Sequence, residues 1–340
     1  MKEISIAEIE GFRIGHAQDR GAATGCTVVI CERGAVTGVD VRGGSPGTRD
    51  TDALNPVNNR QEVHAVLLAG GSSFGLDAAG GVMRYLEERG IGRDVQVTKV
   101  PNVCGAILFD LKCGGHKVRP DARMGYLACE HASAGSPGQG SVGAGTGATV
   151  GKILGRKFAM KGGVGSAAYE VGALRVGAVM AVNCVGDVYD GESGRLIAGV
   201  RGADGRTLLG SENVILGNYQ NRADVFSGKA AEIYSAGRRD LMNGNTVIGC
   251  VITNAKLEKV QAAKLSSISQ NGIARAVRPA HSMFDGDTIF AMCSGEVRAS
   301  FDAVGILAAK AVERAIVSAI LHADGLAGYP SFRELEKIVL

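Results

Sequence analysis

The sequence predicts an α+β protein in which β-sheets are covered by helices. Three observations predict it. Short apolar runs rich in β-branched residues read as strands, and three segments carry apolar residues at helical spacing. Glycine, at 51 of 340 residues, is about twice as frequent as usual, which implies tight turns and close backbone approaches. The glycines follow no fixed period, so neither a collagen nor a solenoid repeat is indicated. The length slightly exceeds the size at which one core usually stops growing, and alone it allows one large layered domain or two ordinary ones.

Taken in order, residues 27–31, 35–42 and 63–70 read as strands. The third runs into GGSSFGLDAAGGVMRYLEERG, where Leu76, Ala79, Met83 and Leu86 recur at helical spacing and Gly90 is a natural stop. A glycine-rich loop follows at 135–151, then an apolar segment at 171–185. Residues 218–245 are more polar, end in the turn-forming pair Asn243-Gly244, and read as an exposed connection. The pattern changes abruptly at Thr246, where TVIGCVIT has the composition of a buried strand. Asn254 is a candidate cap for a helix carrying Leu257, Val260, Leu265 and Ile268. A turn at 284–287 leads into a strand at 288–293, and a long helix spans 302–322 with Val304, Leu307, Ala311, Ala315 and Ile316 on its apolar side.

Hydrophobic residues make up 45% and charged residues 21%, ordinary for a globular protein, and the net charge of +3 arises from 37 basic and 34 acidic residues. That balance, the absence of a Lys/Arg run and of tryptophan, and an aromatic content of 5% argue against nucleic acid or a membrane surface as partner. The opening stretch, MKEISIAEIEGFRIGH, has glutamates among its first ten residues and no long apolar run, so it does not read as a signal peptide. No apolar run approaches transmembrane length. Eight scattered cysteines without a CxxC pair suggest reduced thiols and a cytoplasmic location. Cys113-x-x-His116 with Cys129-x-His131 is the nearest approach to a zinc pattern, but the second spacing is poor, and neither metal nor cofactor is expected.

Several motifs offer chemistry. Gly71-Ser72-Ser73-Phe74-Gly75 satisfies the nucleophile-elbow spacing between a strand and a helix, with Ser73 as nucleophile and His281 as base. The elbow belongs to a run of parallel βα units, which residues 91–245 do not resemble; the alternative is a glycine-rich strand-to-helix turn. Gly143-x-Gly145-x-x-Ala148 mimics a dinucleotide fingerprint but follows a polar loop instead of a strand. The same region fails as a P-loop, with Thr146 in a glycine position and Ile153 after Gly151-Lys152. Thr246 poses a different possibility. A threonine hydroxyl needs a base, and a free α-amine on the same residue supplies one, with a reference pKa near ~8. Such an amine arises internally only if the hydroxyl attacks the preceding carbonyl, that of Asn245, and water opens the resulting ester. On pattern alone Thr246 is equally a common first residue of a strand.

Six further stretches decide the matter by likeness: GVDVRGGSPGTRDTDALNP (38–56), HAVLLAGGSSFGLDAAGGVMRYLEERGIG (64–92), MKGGVGSA (160–167), AVNCVGDV (181–188), GNTVIGCVITNA (244–255) and DGDTIFA (285–291). With these motifs in order over nearly the whole length, the chain resembles the L-aminopeptidase/D-esterase family of self-processing hydrolases, which includes β-aminopeptidases and nylon-oligomer hydrolases. The resemblance implies an αββα four-layer sandwich, shared with ornithine acetyltransferases. It implies one catalytic domain over 1–340, cut between Asn245 and Thr246 into fragments 1–245 and 246–340 that assemble as a homo-oligomer, a tetramer by family likeness. It implies Thr246 as nucleophile and, through its amine, base; Asn183 as oxyanion donor; Asp285 and Asp287 as the pair orienting the nucleophile; and Lys152 beside it. Each has a plainer reading: Asn183 as a strand-end residue satisfying local backbone, Asp285 and Asp287 as an Asp-Gly turn, Lys152 as a surface lysine. One departure bears on substrate. Aminopeptidase members carry a Glu and a Tyr in the stretch matching residues 101–110, which here reads PNVCGAILFD, with Asp110 its only acid. The expected activity is hydrolysis of short peptides or amides through an acyl-threonine; acyl transfer and a silent scaffold are the alternatives.

Overall fold

The computed structural model describes residues 1–217 and 245–336; the connection expected at 218–245 lies outside them except for Asn245. Ten strands share one hydrogen-bonded network: β1 (Lys2–Ile4), β2 (Arg13–Asp19), β3 (Thr24–Val41), β4 (Thr48–Arg49), β5 (Glu62–Ala69), β6 (Val103–Ile107), β7 (Gly163–Val171), β8 (Leu174–Asn183), β9 (Thr246–Ala255) and β10 (Thr288–Val297). Their order is β1-β7-β8-β9-β10-β3-β5-β6-β4, with β2 also on β3. All neighbours are antiparallel except β9 with β10 and β5 with β6. β3 is the joint. Its first half pairs with β2 and β5, its second half with β10, and the register shifts between Ile30 and Ala35. The two strands read from residues 27–31 and 35–42 are therefore one, because the register shift lets a single strand serve both halves of the sheet.

Side-chain alternation turns this network into two stacked sheets, since successive residues point to opposite faces. Along β8, Ala178, Met180 and Val182 enter one core while Val179 and Ala181 enter another; along β9, Val247 and Val251 separate in the same way from Ile248, Cys250 and Ile252. The second core also receives Val66 and Leu68 of β5 and Cys104 and Ala106 of β6, so it lies between the sheets. Ala65 and Leu67 of β5 and Val103 of β6 face a third core. Helices α1 (Ala78–Glu87) and α2 (Ala122–Glu130) close that third core, and α3 (Lys259–Ala276) and α4 (Phe301–Leu321) close the first. The result is the expected αββα sandwich. A strand in either middle layer must be apolar on both faces, which is why TVIGCVIT reads as a continuous run instead of an alternation. Each fully buried side chain there, such as Ile248 or Phe290, contributes about 1.5–3 kcal/mol.

Close layer contact accounts for part of the glycine excess. A Cβ on Gly165 of β7 would lie 2.2 Å from the Ala315 carbonyl oxygen of α4, and one on Gly38 of β3 would lie 2.2 Å from backbone atoms of α3. Three local expectations need correction. Residues 171–185 are the end of β7 and all of β8, joined by a turn. Asn254 does not cap a helix: it remains within β9, where its Oδ1 accepts from Arg175 N at 2.9 Å and its Nδ2 donates to Ala173 O at 2.9 Å. Glu258 caps α3 instead, in a capping box with Gln261, and Val260 in the first turn is exposed. No helix among the described residues is long and apolar enough to cross a membrane.

Candidate active site

The strand pairing assembles the site. Thr246 opens β9 and is paired with Asn183, the last residue of antiparallel β8. β10 runs parallel to β9 and begins at Thr288, so the turn before it lies beside the start of β9, with a bridge between Asn245 and Asp285. Lys152 arrives from a loop whose backbone is pinned just beyond β8: Gly151 N donates to Gly186 O at 2.9 Å and Lys152 N to Val185 O at 3.0 Å. Lys152, Asn183, Asn245, Thr246, Asp285 and Asp287 are all buried, Thr246 at 3% exposure. The residues that the family likeness singles out thus meet at one end of three adjacent strands.

Around Thr246 the contacts are specific. Its hydroxyl donates to the carbonyl oxygen of Asn245. The N–H of Gly286 lies 3.2 Å from Thr246 Oγ1 and 3.3 Å from Asn245 O, donating to both. Asp287 takes Val247 N on Oδ1 at 2.7 Å, and on Oδ2 both His281 N at 3.0 Å and His281 Nδ1 at 2.9 Å. Asp285 takes Val185 N on Oδ1 at 3.2 Å and the Ser282 hydroxyl on Oδ2. Lys152 Nζ donates to Asn183 O at 2.8 Å and Asn183 Oδ1 at 3.0 Å. Asn183 Oδ1 also accepts Thr149 N at 2.9 Å, and Nδ2 donates to Phe109 O at 3.1 Å. The 101–110 stretch therefore adjoins the site through a backbone carbonyl.

Motif 42–47 has a structural task here. Arg42 N and Gly43 N donate to Asp287 O at 2.9 and 3.2 Å, Gly44 N to Ser282 O at 3.1 Å, and Ser45 N to Asp285 O at 2.8 Å. This strap holds the 282–287 turn by its backbone. It needs glycine at 43, where a Cβ would lie 2.3 Å from Asp285 O.

Burial sets the charges. Desolvation brings the Lys152 ammonium down to about 7, and desolvation together with repulsion from Asp287 raises the Asp285 carboxyl to about 7. Both groups are thus moved towards the range where they exchange protons near neutrality. Lys161, fully buried, is lowered to about 8 by the same cause, and its Nζ donates to the carbonyls of Gly145 and Ala148 at 2.8 Å and of Gly162 at 3.1 Å. It fixes the loop from which Thr149 reaches Asn183.

The competing motifs fall elsewhere. Ser73 is exposed on a 3-10 turn (Ser72–Asp77) after β5, and among the described residues no histidine is hydrogen-bonded to it. That turn is held by Asp110, which accepts Gly71 N at 2.7 Å and the Thr24 hydroxyl at 2.8 Å and is raised to about 6 by burial. His281 belongs to Asp287. Cys113 and Cys129 sit in separate hydrophobic clusters, so the zinc-like pattern does not come together. Gly143–Gly145 is a buried 3-10 turn whose Ala144 N–H bonds to the Thr27 hydroxyl. Sequence reasoning missed Gly286 N–H, Ser282, Thr149 and the role of His281. Backbone donors leave no residue-type signal, and Ser282 and His281 gain meaning only once the turn is seen to fold back on its own carboxylates.

Comparison with known proteins gives the family. The model of peptidase family S58 matches residues 5–332. An uncharacterised aminopeptidase of Mycobacterium leprae is 38% identical over 96% of this chain and 93% of its own length. A 6-aminohexanoate-oligomer endohydrolase of an Agromyces species is 30% identical over 87% of this chain and 76% of its own. Among solved structures, the L-aminopeptidase D-Ala-esterase/amidase of Ochrobactrum anthropi, described as a variant of the Ntn hydrolase fold, superposes with a TM-score of 0.68 at 15% identity, covering 98% of this chain and 93% of that one. A β-aminopeptidase of a Burkholderia species gives 0.64 at 19% identity, with the same two coverages. At these identities the solved structures speak for the fold, whereas the family model and the closer sequences speak for descent, and on them the chain belongs to peptidase family S58.

Proposed function

We propose that this protein is a self-processing amide hydrolase whose nucleophile is Thr246, released as an N-terminal residue by cleavage after Asn245. The observation that carries the reading is the shared donor: Gly286 N–H serves both the Thr246 hydroxyl and the Asn245 carbonyl. In the first step Oγ1 of Thr246 adds to the Asn245 carbonyl carbon, and charge develops on an oxygen already facing the Gly286 donor. Collapse breaks the Asn245–Thr246 C–N bond and moves the acyl group to oxygen, and the nitrogen, taking the proton that Oγ1 gave up, becomes an amine. Water then hydrolyses the ester, giving an Asn245 carboxylate and a free Thr246 hydroxyl.

In turnover, that amine takes the hydroxyl proton as Oγ1 attacks a substrate amide, and returns it to the departing amine. Water resolves the acyl-threonine. Asp287 holds the backbone N–H next to the nucleophile, while Asp285 and Lys152 supply a buried acid–base pair at its flank. Asn183, opposite Thr246 in the ladder, is assigned to the oxyanion. Short peptides and oligoamides are the substrate class. Asp110 is already bonded to Gly71 and Thr24, so the 101–110 stretch offers no uncommitted acid for a substrate ammonium, and the reading leans towards the oligoamide side of the family. On family likeness alone, the fragment pairs form a homo-oligomer, a tetramer; the scattered cysteines without a CxxC pair support a cytoplasmic location. Product analysis on short amides, with and without an added amine acceptor, tests this. Free acid as the product in both cases, and none with Thr246→Ala, is expected; a predominant acyl-amine product, or an active Thr246→Ala enzyme, contradicts it.

A further inference from the structure

Asp287 is clamped more tightly than its place beside Val247 requires. Oδ1 takes one N–H, from Val247, but Oδ2 takes two donors from the same residue: the backbone N–H of His281 at 3.0 Å and its ring Nδ1 at 2.9 Å. A carboxylate only accepts, so the ring nitrogen Nδ1 is the donor. Nε2 is buried and has no hydrogen-bond partner among the described residues. His281 also holds φ at +55°, a left-handed conformation that side-chain-bearing residues seldom adopt. A strained backbone and an orphaned ring nitrogen are both costs to folding, and such costs persist where the surroundings demand the geometry they produce. What they produce here is a two-pronged grip on one carboxylate oxygen.

We infer that His281 is a positioning residue for the Thr246 reaction, acting through Asp287. Its ring N–H fixes the rotation of the Asp287 carboxylate, so that Oδ1 stays on Val247 N–H and the chain at the start of β9 is held in one orientation. Other contacts fasten the same turn, among them Arg42 N and Gly43 N to Asp287 O, Gly44 N to Ser282 O, Ser45 N to Asp285 O, Ser45 Oγ to Met283 O and Ser282 Oγ to Asp285, but none of them reaches the Asp287 carboxylate. His281 alone among the described side chains does. This inference rests on Thr246 being the nucleophile.

The test uses the full chain with three substitutions. Asn and Gly both accept a left-handed backbone, but only Asn offers a side-chain N–H near the place of Nδ1–H. Gln offers one only further out, where Nε2 stands. Self-cleavage is followed by intact mass, and kcat and KM are measured on a short amide with the processed enzyme. His281→Gly and His281→Gln are expected to slow self-cleavage and kcat by about tenfold or more, with KM within about twofold; His281→Asn is expected to recover most of the rate. Equal rates for the Asn and Gly variants, whether both fast or both slow, overturn the inference, because the backbone is then satisfied in both and the donor is irrelevant. A Gln variant that rivals Asn overturns it as well. Thr246→Ala is run alongside. If that variant still cleaves, the nucleophile assignment has failed; if it stays intact while the His281 variants behave as wild type, only the role of His281 has failed.

Discussion

Replacing Gly286 by alanine adds one methyl group directly against the Thr246 hydroxyl. A Cβ built there lies 2.9 Å from Thr246 Oγ1, 2.7 Å from the Ser45 carbonyl oxygen and 3.1 Å from Pro46 Cα. Ordinary contact begins at about 3.4 Å, so with the Gly286 backbone held in place the hydroxyl must retreat by about 0.5 Å and the Ser45–Pro46 backbone by about 0.7 Å. The strap cannot yield freely, since Ser45 N and Ser45 Oγ are both bonded to the turn it covers. Overpacking of this kind costs about 1–3 kcal/mol of stability. Displacing a reacting atom by about 1 Å costs on the order of a hundredfold in rate, so half that shift gives a slowing of self-cleavage of about tenfold or more. The assay is a time course of intact mass after synthesis, with urea unfolding of the uncut chain alongside. Gly80→Ala is the control: nothing lies within 4 Å of a Cβ at this position in α1, so it leaves cleavage unchanged and stabilises by about 0.5–1 kcal/mol. Wild-type processing by the Gly286 variant refutes the reasoning.

Three further outcomes follow from the same geometry. Asn183→Ala removes an acceptor for Thr149 N–H and Lys152 and a donor to Phe109 O; turnover is expected to fall by roughly a hundredfold or more and stability by about 2–3 kcal/mol, measured by kcat on a short amide and by urea unfolding. In the uncut Thr246→Ala background, stability should depend on Lys152. Its folded value of about 7 lies below its ordinary 10.5, so between these pH values the unfolded chain binds more protons and stability rises with pH. Asp285, raised from 3.8 to about 7, acts the opposite way, favouring the folded state at low pH and losing that contribution as pH climbs to 7. Melting curves should therefore show a rise from pH 7 to 10 that Lys152→Met reduces, Lys161 with its folded value of about 8 supplying the remainder, and an unchanged slope contradicts the assignment. Ser73→Ala, on an exposed turn, should leave kcat within about twofold of wild type, and abolished activity would restore the elbow reading.

The layers were legible because their cause is local. The run TVIGCVIT announces a strand buried on both faces, and the spacing of Val304, Leu307, Ala311 and Ala315 announces a helix with one apolar side; all four are buried in α4. What sequence could not reveal depends on pairing. The 18 residues of β3 look like two strands because the break between Ile30 and Ala35 carries turn-like residues, and only its partners show the strand to be continuous. Asn254 looks like a helix cap because Asn is a good one; β9, which runs two residues past TVIGCVIT to Ala255, claims it first through bonds to Arg175 N and Ala173 O. At the site, the residue types that carry charge or a hydroxyl could be named in advance, through likeness to a family. The Gly286 N–H, the strap at 42–47 and the grip of His281 on Asp287 could not, since each is a relation between distant backbones. Ser73 shows the converse, a motif with perfect spacing on a turn that Asp110 simply holds in shape.

The most direct test is the intact mass of freshly made protein beside its Thr246→Ala variant. Two fragments, 1–245 and 246–340, with a free threonine amine at the start of the second, are expected from the wild type and a single uncut chain from the variant. A wild-type chain that stays whole on prolonged incubation would have no free amine to act as base, and would contradict the account.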